Sequence, residues 1–373
     1  MKAAGVIVEF NPLHNGHVEH LRETVRLTQR KDIIAVMSGN FVQRGEPAII
    51  DKWKRTKMAL LAGVDIVIEL PVPYVVSGAD YFARGAVGLL AATGVVDKLC
   101  FGSECGDVNP IIQAGKVLAD EPAEYKKALS MGLDRGLSFA AARGAALENA
   151  LGAVSEGFLT KPNNGLGIEY CKALWQLGWP MEAMTSYRAA GGPSATAIRK
   201  TGANENMPAY ASEILQEAIK ANEIANLNNL SQILRYMLFT TTPNMGEGLE
   251  NRFRYFAKEH SRFMDILDAV KTKRYTYTRL QRAALMLILG ISKLESSPKY
   301  VKVLGFKQKK AGLLGEMTRK ASLPVITTGK AMEQLEGTGA AMLAKELEAG
   351  EIYSLALGNG KYQNERSTPL VII

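Results

Sequence analysis

The segment at residues 5–17, GVIVEFNPLHNGH, constrains the fold more than any other part of the chain. Its apolar, β-forming run Val6–Phe10 stops at Asn11-Pro12. An amphipathic stretch then begins at the two imidazoles of His14 and His17, with apolar residues at helical spacing. The pattern predicts a strand, a tight loop and the start of a helix, with both histidines at the junction of loop and helix.

A loop of this kind favours the binding of phosphate. The N-terminus of a helix presents free N–H groups and a partial positive charge, and Gly16 allows the backbone to approach a ligand closely. The two imidazoles can donate hydrogen bonds to phosphate oxygens as their charge grows during nucleotidyl transfer. The segment therefore indicates an enzyme that handles nucleotides. The alternative is a polar turn whose histidines only cap the helix.

Composition excludes several other classes of protein. The cysteines, Cys100, Cys105 and Cys171, lack the spacing of a zinc site and do not imply disulfides. The apolar run at the N-terminus is too short for a signal peptide, and no run reaches the ~18 residues of a membrane span. We therefore expect a cytoplasmic protein with no membrane partner. The length of 373 residues suggests two or three domains.

Strands and helices alternate through the first hundred residues. Continuous apolar strands of this kind are typical of a parallel sheet covered on both faces, whose ligands bind at the carboxyl ends of the strands. Polar or glycine-containing loops follow all four predicted strands. We therefore predict an α/β fold with a Rossmann-like parallel sheet. The predicted strands are Val6–Phe10, Ile33–Met37, Ile66–Leu70 and Lys98–Gly102, and the predicted helices are Val18–Gln29, Asp51–Ala62 and Asp80–Ala92.

A second candidate phosphate site follows in the next hundred residues. Residues 161–168 read as a cluster of turns before a helix at Glu169–Leu177, and Met181–Arg188 reads as a strand. A helix rich in Ser and Thr then starts at Ser194 and carries Arg199 and Lys200, a pattern that suits phosphate. The alternative is an ordinary N-cap with a surface arginine.

The composition changes after Gly202, where predicted helices dominate to residue 292 and a mixed tail follows. We therefore divide the chain into residues 1–202 and residues 203–373. The segment from Arg252 to Arg282 contains nine Lys and Arg but three acidic residues, and the whole chain has a net charge of +8. This excess of charge predicts a polyanionic partner, and the alternative is a solvated helical surface.

Sequence stretches along the whole chain match those of a known protein family. The chain resembles the bacterial tRNA(Met) cytidine acetate ligase family, and its N-terminal half is similar to the HIGH-type nucleotidyltransferase superfamily. The long run from Val36 to Pro71 is far more specific than the two histidines alone. The matching stretches are GVIVEFNPLHNGH, VMSGNFVQRGEPAIIDKWKRTKMAL, GVDIVIELP, ADYFARGAV, FGSECGD, PNNGLGIEY, SATAIRK, GLENR, KTKRYTYTRLQR and VLGF.

The resemblance implies ligation of acetate to N4 of the wobble cytidine of elongator tRNA(Met), giving N4-acetylcytidine. ATP would be consumed through an acetyl-adenylate, and Mg²⁺ would travel with ATP and need no dedicated protein metal site. Residues 1–202 would form the catalytic domain, and residues 203–373 would bind tRNA. The implied catalytic residues are His14 and His17. The implied ATP-binding residues are Ile7, Val8, Glu9, Phe10, Asn11, Pro12, Leu13, His14, Asn15, Gly16, His17, Val18, Glu19, His20, Gly102, Asn163, Asn164, Arg188, Ser194, Thr196 and Arg199.

The basic segment supplies candidate tRNA contacts, because cations that alternate with aromatic rings suit an RNA backbone and exposed bases. These candidates are Lys271, Lys273, Arg274, Tyr275, Arg279 and Arg282, with Tyr277 nearby. Gln43, Arg44 and Glu46 are candidates for the acetate or cytosine site. Two other functions stay open, namely a small-molecule adenylyltransferase that makes a dinucleotide-type cofactor and a non-catalytic RNA-binding protein. The oligomeric state stays open as well.

Overall fold

A computed structural model describes residues 1–137, 139–152, 157–188, 195–202, 205–246, 248–292 and 294–373. Within these residues one large sheet has the strand order β10-β8-β5-β2-β1-β6-β7, and β9 pairs with β8. A separate antiparallel hairpin is formed by β3 and β4. The strands are β1 Ala3–Val8, β2 Ile33–Ser38, β3 Phe41–Val42, β4 Glu46–Pro47, β5 Ile66–Leu70, β6 Val96–Ser103, β7 Glu182–Tyr187, β8 Val301–Phe306, β9 Val325–Ile326 and β10 Val371–Ile372.

Helices pack against both faces of the sheet. None of those in the described residues is long and apolar enough to cross a bilayer. The helices are α1 Asn15–Thr28, α2 Lys52–Ala62, α3 Val72–Val75, α4 Ala79–Ala92, α5 Val108–Asp120, α6 Ala123–Asp134, α7 Phe139–Leu151, α8 Pro162–Gln176, α9 Ala195–Thr201, α10 Ala209–Lys220, α11 Ser231–Thr240, α12 Leu249–Glu259, α13 Phe263–Val270, α14 Tyr277–Ile288, α15 Ala311–Lys320, α16 Gly329–Glu333 and α17 Gly337–Ala356.

The predicted α/β class is confirmed. The central strands β5, β2, β1, β6 and β7 run parallel in that order, so their carboxyl ends meet at one edge of the sheet. All residues of β2 and β5 are buried, as expected for strands covered on both faces. The predicted N-cap of α2 is also confirmed, because the Asp51 carboxylate accepts the backbone N–H of Lys54 at 2.9 Å.

The C-terminal tail completes the sheet of the N-terminal half. Strand β8 lies antiparallel to β5, and β10 lies parallel to β8. The mixed tail predicted after residue 292 contains the strands β8, β9 and β10. The sheet thus takes strands from both sides of residue 202. The division proposed there separates two stretches of sequence and not two separate sheets.

The cluster of turns predicted at residues 161–168 is wrong, because α8 already begins at Pro162. Proline is tolerated in the first turn of a helix, where its missing N–H costs no hydrogen bond. The Glu104 carboxylate accepts the backbone N–H groups of Asn163 and Asn164 at 3.3 Å and 3.0 Å. A carboxylate from the end of β6 thereby stabilises the first turn of a helix that is rich in turn-forming residues.

Three arginines tie the C-terminal helices to one another. Arg252 on α12 donates to the last carbonyl of α13 at 2.8 Å, and Arg254 on α12 donates to the carbonyl that follows α11 at 2.7 Å. Arg235 on α11 donates to the last turn of α12 at 3.1 Å. Cations at these ends satisfy free carbonyls and oppose the helix dipole. Arg252 and Arg254 therefore stabilise the bundle, although their charge counts in the basic segment.

Five buried ionisable side chains join α2, β5, β8, α17 and the C-terminal tail. Lys52 Nζ lies 2.6 Å from carboxylate oxygens of both Glu69 and Glu365, and Lys302 Nζ lies 2.8 Å and 2.6 Å from the same two carboxylates. Glu346 accepts the N–H of residue 72 at 2.6 Å. Burial, and then the charge of Glu69, raise the pKa of Glu346 well above its usual range. With Glu346 protonated, the cluster is electrically neutral.

Candidate active site

The two histidines of the N-terminal motif form a stacked pair at the start of α1. Their ring centroids lie 3.6 Å apart with an interplanar angle of 19°. His14 is buried and occupies the N-cap position, and its backbone N–H donates to His17 Nδ1 at 3.2 Å. A neutral His17 that accepts at Nδ1 carries its proton on Nε2. The fold therefore presents His17 as a fixed Nε2–H donor.

The imidazoles are neutral at physiological pH. Burial and the nearby Arg188 cation lower the pKa of His14 to about 4 and the pKa of His20 to about 4. Burial, the adjacent His14 and Arg188 lower the pKa of His17 well below its usual range. Arg188 therefore supplies a permanent positive charge near the histidines, which themselves act as polar donors and acceptors.

The pKa of His14 predicts how stability depends on pH. The unfolded chain binds more protons than the folded protein between the unfolded pKa near 6.5 and the folded value of about 4. The contribution of neutral His14 to the free energy of unfolding is therefore complete above the unfolded pKa. It is lost as pH falls through this window, by about 1.4 kcal/mol per pH unit for each such histidine. We expect His14→Asn, which keeps an N-cap side chain, to flatten this slope in urea unfolding measured from pH 4 to 7.5. An unchanged slope would contradict the prediction.

Six of the fourteen residues in the predicted ATP-binding run, residues 7–20, are buried. The side chains of Val8, Phe10 and Leu13 pack in the apolar core, so only the main chain of these residues is available to a ligand. The Asn11 amide oxygen accepts the N–H of residue 49 at 2.7 Å. Pro12 is also buried, whereas Ile7, Glu9, Val18 and His20 are partly exposed and Asn15, Gly16 and Glu19 are exposed.

The start of α1 contacts a distant segment of the chain. The backbone N–H of Asn15 donates to the carbonyl of Asn206 at 2.8 Å, and its side-chain amide donates to the carbonyl of residue 205 at 3.0 Å. His20, one turn further along α1, lies 2.7 Å from the hydroxyl of Ser186 in β7. Asn15 and His20 thus already have protein partners, and their assignment to ATP stays a prediction.

A second group of predicted residues lies at the ends of β6 and β7. Arg188 is exposed and donates from Nη1 to Asn163 Oδ1 at 3.5 Å. A Cβ placed at Gly102 would make ordinary van der Waals contact with Ser186 Oγ at 3.9 Å, so Gly102 lies directly beside Ser186 and Arg188. The contact of His20 on α1 with Ser186 in β7 puts this group near the start of α1, and the Arg188 cation lowers the pKa values of His14 and His17.

The structure distinguishes the two neighbouring asparagines of the implied ATP-binding set. Asn164 is buried, its side-chain oxygen accepts the N–H groups of Glu104 and Cys105, and its amide nitrogen donates to the carbonyl of Phe158. A side chain with all these partners holds the loop together and is not available to a ligand. Asn163 is partly exposed, and it is the better candidate for a nucleotide contact.

The second predicted phosphate segment reaches the same edge of the sheet. Ser194 lies outside the described residues, and Thr196 and Arg199 belong to α9. Arg199 Nη1 donates to the carbonyl of Asn11 at 2.8 Å, and Nη2 pairs with Glu46 of the β3–β4 hairpin at 3.0 Å. The guanidinium of Arg44, also in the hairpin, lies 3.4 Å from Thr196 Oγ1. Arg199 therefore joins the histidine loop to the hairpin.

One functional neighbour was missed by sequence reasoning. Arg55 on α2 is fully buried and donates to the main-chain carbonyls of Ile50, Glu9, Ser38 and Gly39. It thereby fixes the loops that follow β1 and β2. The sequence shows it only as one of several basic residues in KWKRTK, and nothing in that pattern separates a buried guanidinium from a solvated one.

The hairpin also contacts α14, which carries part of the basic segment. Arg282 Nη1 donates to the carbonyl of Gln43 at 3.4 Å. Gly45 has a φ of +82°, and a Cβ there would lie 2.5 Å from the backbone nitrogen of Arg282, so only glycine permits this approach. The hairpin is therefore in contact with both the nucleotide loops and the basic helix.

The candidate tRNA contacts differ in their exposure. Lys273 and Arg274 are exposed, whereas Lys271, Arg279 and Arg282 are partly buried. Tyr275 is only 8% exposed, and Arg274 and Arg279 lie 5.6 Å from its ring centroid. The expectation that Tyr275 stacks on RNA bases is therefore wrong, because its ring packs in the helical core. Tyr277 is exposed, and its hydroxyl donates to Asp268.

Comparisons with known proteins agree with this geometry. A family model described as HIGH Nucleotidyl Transferase matches residues 1–368. The chain is 40% identical to the tRNA(Met) cytidine acetate ligase of Caldanaerobacter subterraneus over 96% of both chains, and 38% identical to that of Clostridium kluyveri over 100% and 99%. The crystal structure of Thermotoga maritima TmcAL bound with alpha-thio ATP matches with a TM-score of 0.91 and 33% identity over the whole of both chains.

Proposed function

We propose, from the premise that this chain belongs to the tRNA(Met) cytidine acetate ligase family among the HIGH nucleotidyl transferases, that it uses ATP to join acetate to the wobble cytidine of elongator tRNA(Met). The observation that carries this proposal is a series of contacts that runs from the histidine loop through Arg199 to the β3–β4 hairpin, and from the hairpin to the basic helix α14. These contacts connect a site suited to phosphate with a site suited to RNA.

In the first step an acetate oxygen attacks the α-phosphorus of ATP, and pyrophosphate leaves. The product is an acetyl-adenylate, a mixed anhydride whose carbonyl is far more electrophilic than that of acetate. The protein contributes position and charge neutralisation. His17 Nε2–H and the Arg188 guanidinium would stabilise the phosphate charge that develops, and Asn163 and Gly102 would border the nucleoside.

In the second step the exocyclic amine of the cytidine attacks the acetyl carbonyl, which gives N4-acetylcytidine and AMP. The wobble base lies in a single-stranded loop and can be splayed out without melting a helix. Lys273 and Arg274, two exposed residues just before α14, would hold the RNA backbone. Gln43 and Arg44 in the hairpin would border the reacting base or acetate.

The proposal includes Mg²⁺ bound with ATP and a reaction in the cytoplasm. No group of three or more His, Cys, Asp or Glu within the described ranges is arranged to hold a metal ion. Mg²⁺ would therefore be held through phosphate oxygens and water, as it usually is when it accompanies a nucleotide. We propose no dedicated protein metal site.

Mass spectrometry of the wobble nucleoside tests the proposed function directly. Elongator tRNA(Met) is incubated with the protein, ATP and isotopically labelled acetate, and the nucleosides are then analysed. We expect labelled N4-acetylcytidine only when ATP and acetate are both present. An unmodified wobble nucleoside, together with no acetate-dependent release of pyrophosphate, would overturn the proposal. Transfer of AMP to a small molecule instead would support the adenylyltransferase alternative.

Charge removal on the basic segment gives a further prediction. The double variant Lys273→Gln, Arg274→Gln is expected to weaken tRNA binding and to lower the slope of log Kd against log salt concentration by about one to two. Filter binding from about 50 to about 300 mM salt measures the affinity and its salt dependence, because contacts with phosphate weaken strongly over roughly this range. The matched control Lys126→Gln, Lys127→Gln removes the same charge from the exposed face of α6. Equal slopes in the two variants would contradict the prediction.

A further inference from the structure

The Glu9 side chain is an acidic group at the edge of the candidate site whose function the phosphate chemistry does not explain. It follows β1 directly, and the ring of the next residue, Phe10, lies 5.0 Å from the ring of His17. Glu9 Oε1 accepts the Ser38 hydroxyl at 3.0 Å and the backbone N–H of Gln43 at 2.7 Å. No partner for Oε2 lies in the part of the chain that the structure describes, and the residue is partly exposed.

The charged and titratable groups around Glu9 come from three elements. Arg55 on α2 faces it but is engaged by main-chain carbonyls, one of them that of Glu9 itself at 2.7 Å. Arg44 faces it from the hairpin, and the phenol of Tyr170 faces it from α8. Burial raises the pKa of Glu9, although its two hydrogen bonds and both arginines oppose this effect. A carboxylate with a raised pKa is a better proton acceptor than an ordinary one.

Glu9 lies where the RNA and the nucleotide sites meet. The residue that donates to its carboxylate, Gln43, accepts at its carbonyl from Arg282 of α14. The same hairpin contacts Thr196 and Arg199 of the second phosphate segment. A base that arrives along α14 would thus approach the adenylate beside the hairpin to which Glu9 is bonded.

The acyl-transfer step requires a proton acceptor. When the N4 nitrogen bonds to the acetyl carbon it becomes cationic, and it must lose a proton as the bond from that carbon to the phosphate oxygen breaks. His17 is poorly suited, because its Nδ1 already accepts the His14 N–H and its other nitrogen is a donor. Arg44 and Arg55 cannot accept a proton.

We propose that Glu9 Oε2 accepts the proton from the N4 amine of the cytidine during transfer of the acetyl group, a role that rests on the function proposed above. The carbon–nitrogen bond forms, the carbon–oxygen bond to the phosphate breaks, AMP leaves with the electron pair, and the carboxylate becomes a carboxylic acid. The proton then passes to solvent, since Glu9 is partly exposed.

The isosteric substitution Glu9→Gln tests this role, because the amide oxygen still accepts from Ser38 and Gln43 while an NH₂ group replaces Oε2. Acetate-dependent ATP–pyrophosphate exchange without tRNA reports adenylation, and single-turnover acetylation of tRNA(Met) reports transfer. We expect Glu9→Gln to lose far less exchange than transfer, with both activities compared with those of the matched control Glu23→Gln, which changes an exposed pair on α1. Transfer should fall by about 10²–10³-fold, within the range for general bases.

The pH profile gives a readout that a structural role would not change. Transfer by the unsubstituted protein should rise tenfold per pH unit below the Glu9 pKa and level off above it, whereas Glu9→Gln should lack this limb. Transfer equal to that of Glu23→Gln, or an equal loss of exchange and transfer, would overturn the inference. An unsubstituted protein without acetate-dependent exchange would instead refute the proposed function, and this inference with it.

Discussion

Replacing His17 by asparagine is expected to lower acetate-dependent ATP–pyrophosphate exchange by about 10²–10³-fold, because one fixed donor to the developing phosphate charge is lost. The neutral ring is held by the N–H of His14 and by stacking at 3.6 Å, so its Nε2 proton points away from that bond. Because the donor is already in place, little reorganisation is needed during the reaction. Exchange of labelled pyrophosphate into ATP, measured at saturating acetate, provides the rate.

The matched control for this experiment is His260→Asn, which makes the same change after the end of α12, far from the motif in sequence. We expect the control to keep the rate of the unsubstituted protein. A circular dichroism melt of both variants separates a catalytic loss from unfolding. If His17→Asn retained full exchange while folded, the histidine pair would not stabilise the transferred phosphate, and the site would have to lie elsewhere.

Replacing Lys302 by methionine is expected to lower the free energy of unfolding by about 3–5 kcal/mol, the usual result of removing one partner from a buried ion cluster. Its Nζ contacts Glu69 and Glu365, and all three side chains are at most 3% exposed. Without it Lys52 alone would compensate two buried carboxylates. One of them would have to take up a proton, so the loss should shrink as pH falls.

The matched control is Lys310→Met, which removes an ammonium from a more exposed pair with Asp32. Exposed pairs contribute about 0–1 kcal/mol, so this variant should change stability little. Urea unfolding at pH 7 and at pH 5 compares both variants with the unsubstituted protein. Equal losses for Lys302→Met and Lys310→Met would mean that the buried cluster contributes no more than an ordinary surface ion pair.

The sequence predicted the parallel core and the position of the imidazole pair well, because both depend on local pattern. Strands such as Ile66–Leu70 are short apolar runs between glycine and proline, and the histidine motif lies in one loop. The start of α8 was missed because the group that stabilises it, Glu104, lies about sixty residues away in the chain. A propensity-based interpretation sees only the turn-forming residues themselves.

Strand β8 and the role of the basic residues were harder to predict from the sequence, for a different reason. Lys302 lies inside a buried strand, and a lysine in an apolar run argues against burial until its carboxylate partners are known. The charge count between Arg252 and Arg282 could not separate the arginines that bind helix ends from those that face solvent. Tyr275 shows the same limit, since alternation with cations is typical of RNA contacts and of a buried ring beneath two guanidinium groups.

The pairing of β5 with β8 has a consequence for biosynthesis. These neighbours are separated by more than two hundred residues, so the ribosome exposes a mostly apolar strand long before its partner β8 is made. At 5–20 residues per second the interval is roughly 10–50 s. During that time β5 presents unpaired N–H and C=O groups, together with the uncompensated carboxylate of Glu69. Nascent chains should therefore depend on chaperones, and stalling of the ribosome before residue 301 should leave these chains prone to aggregation.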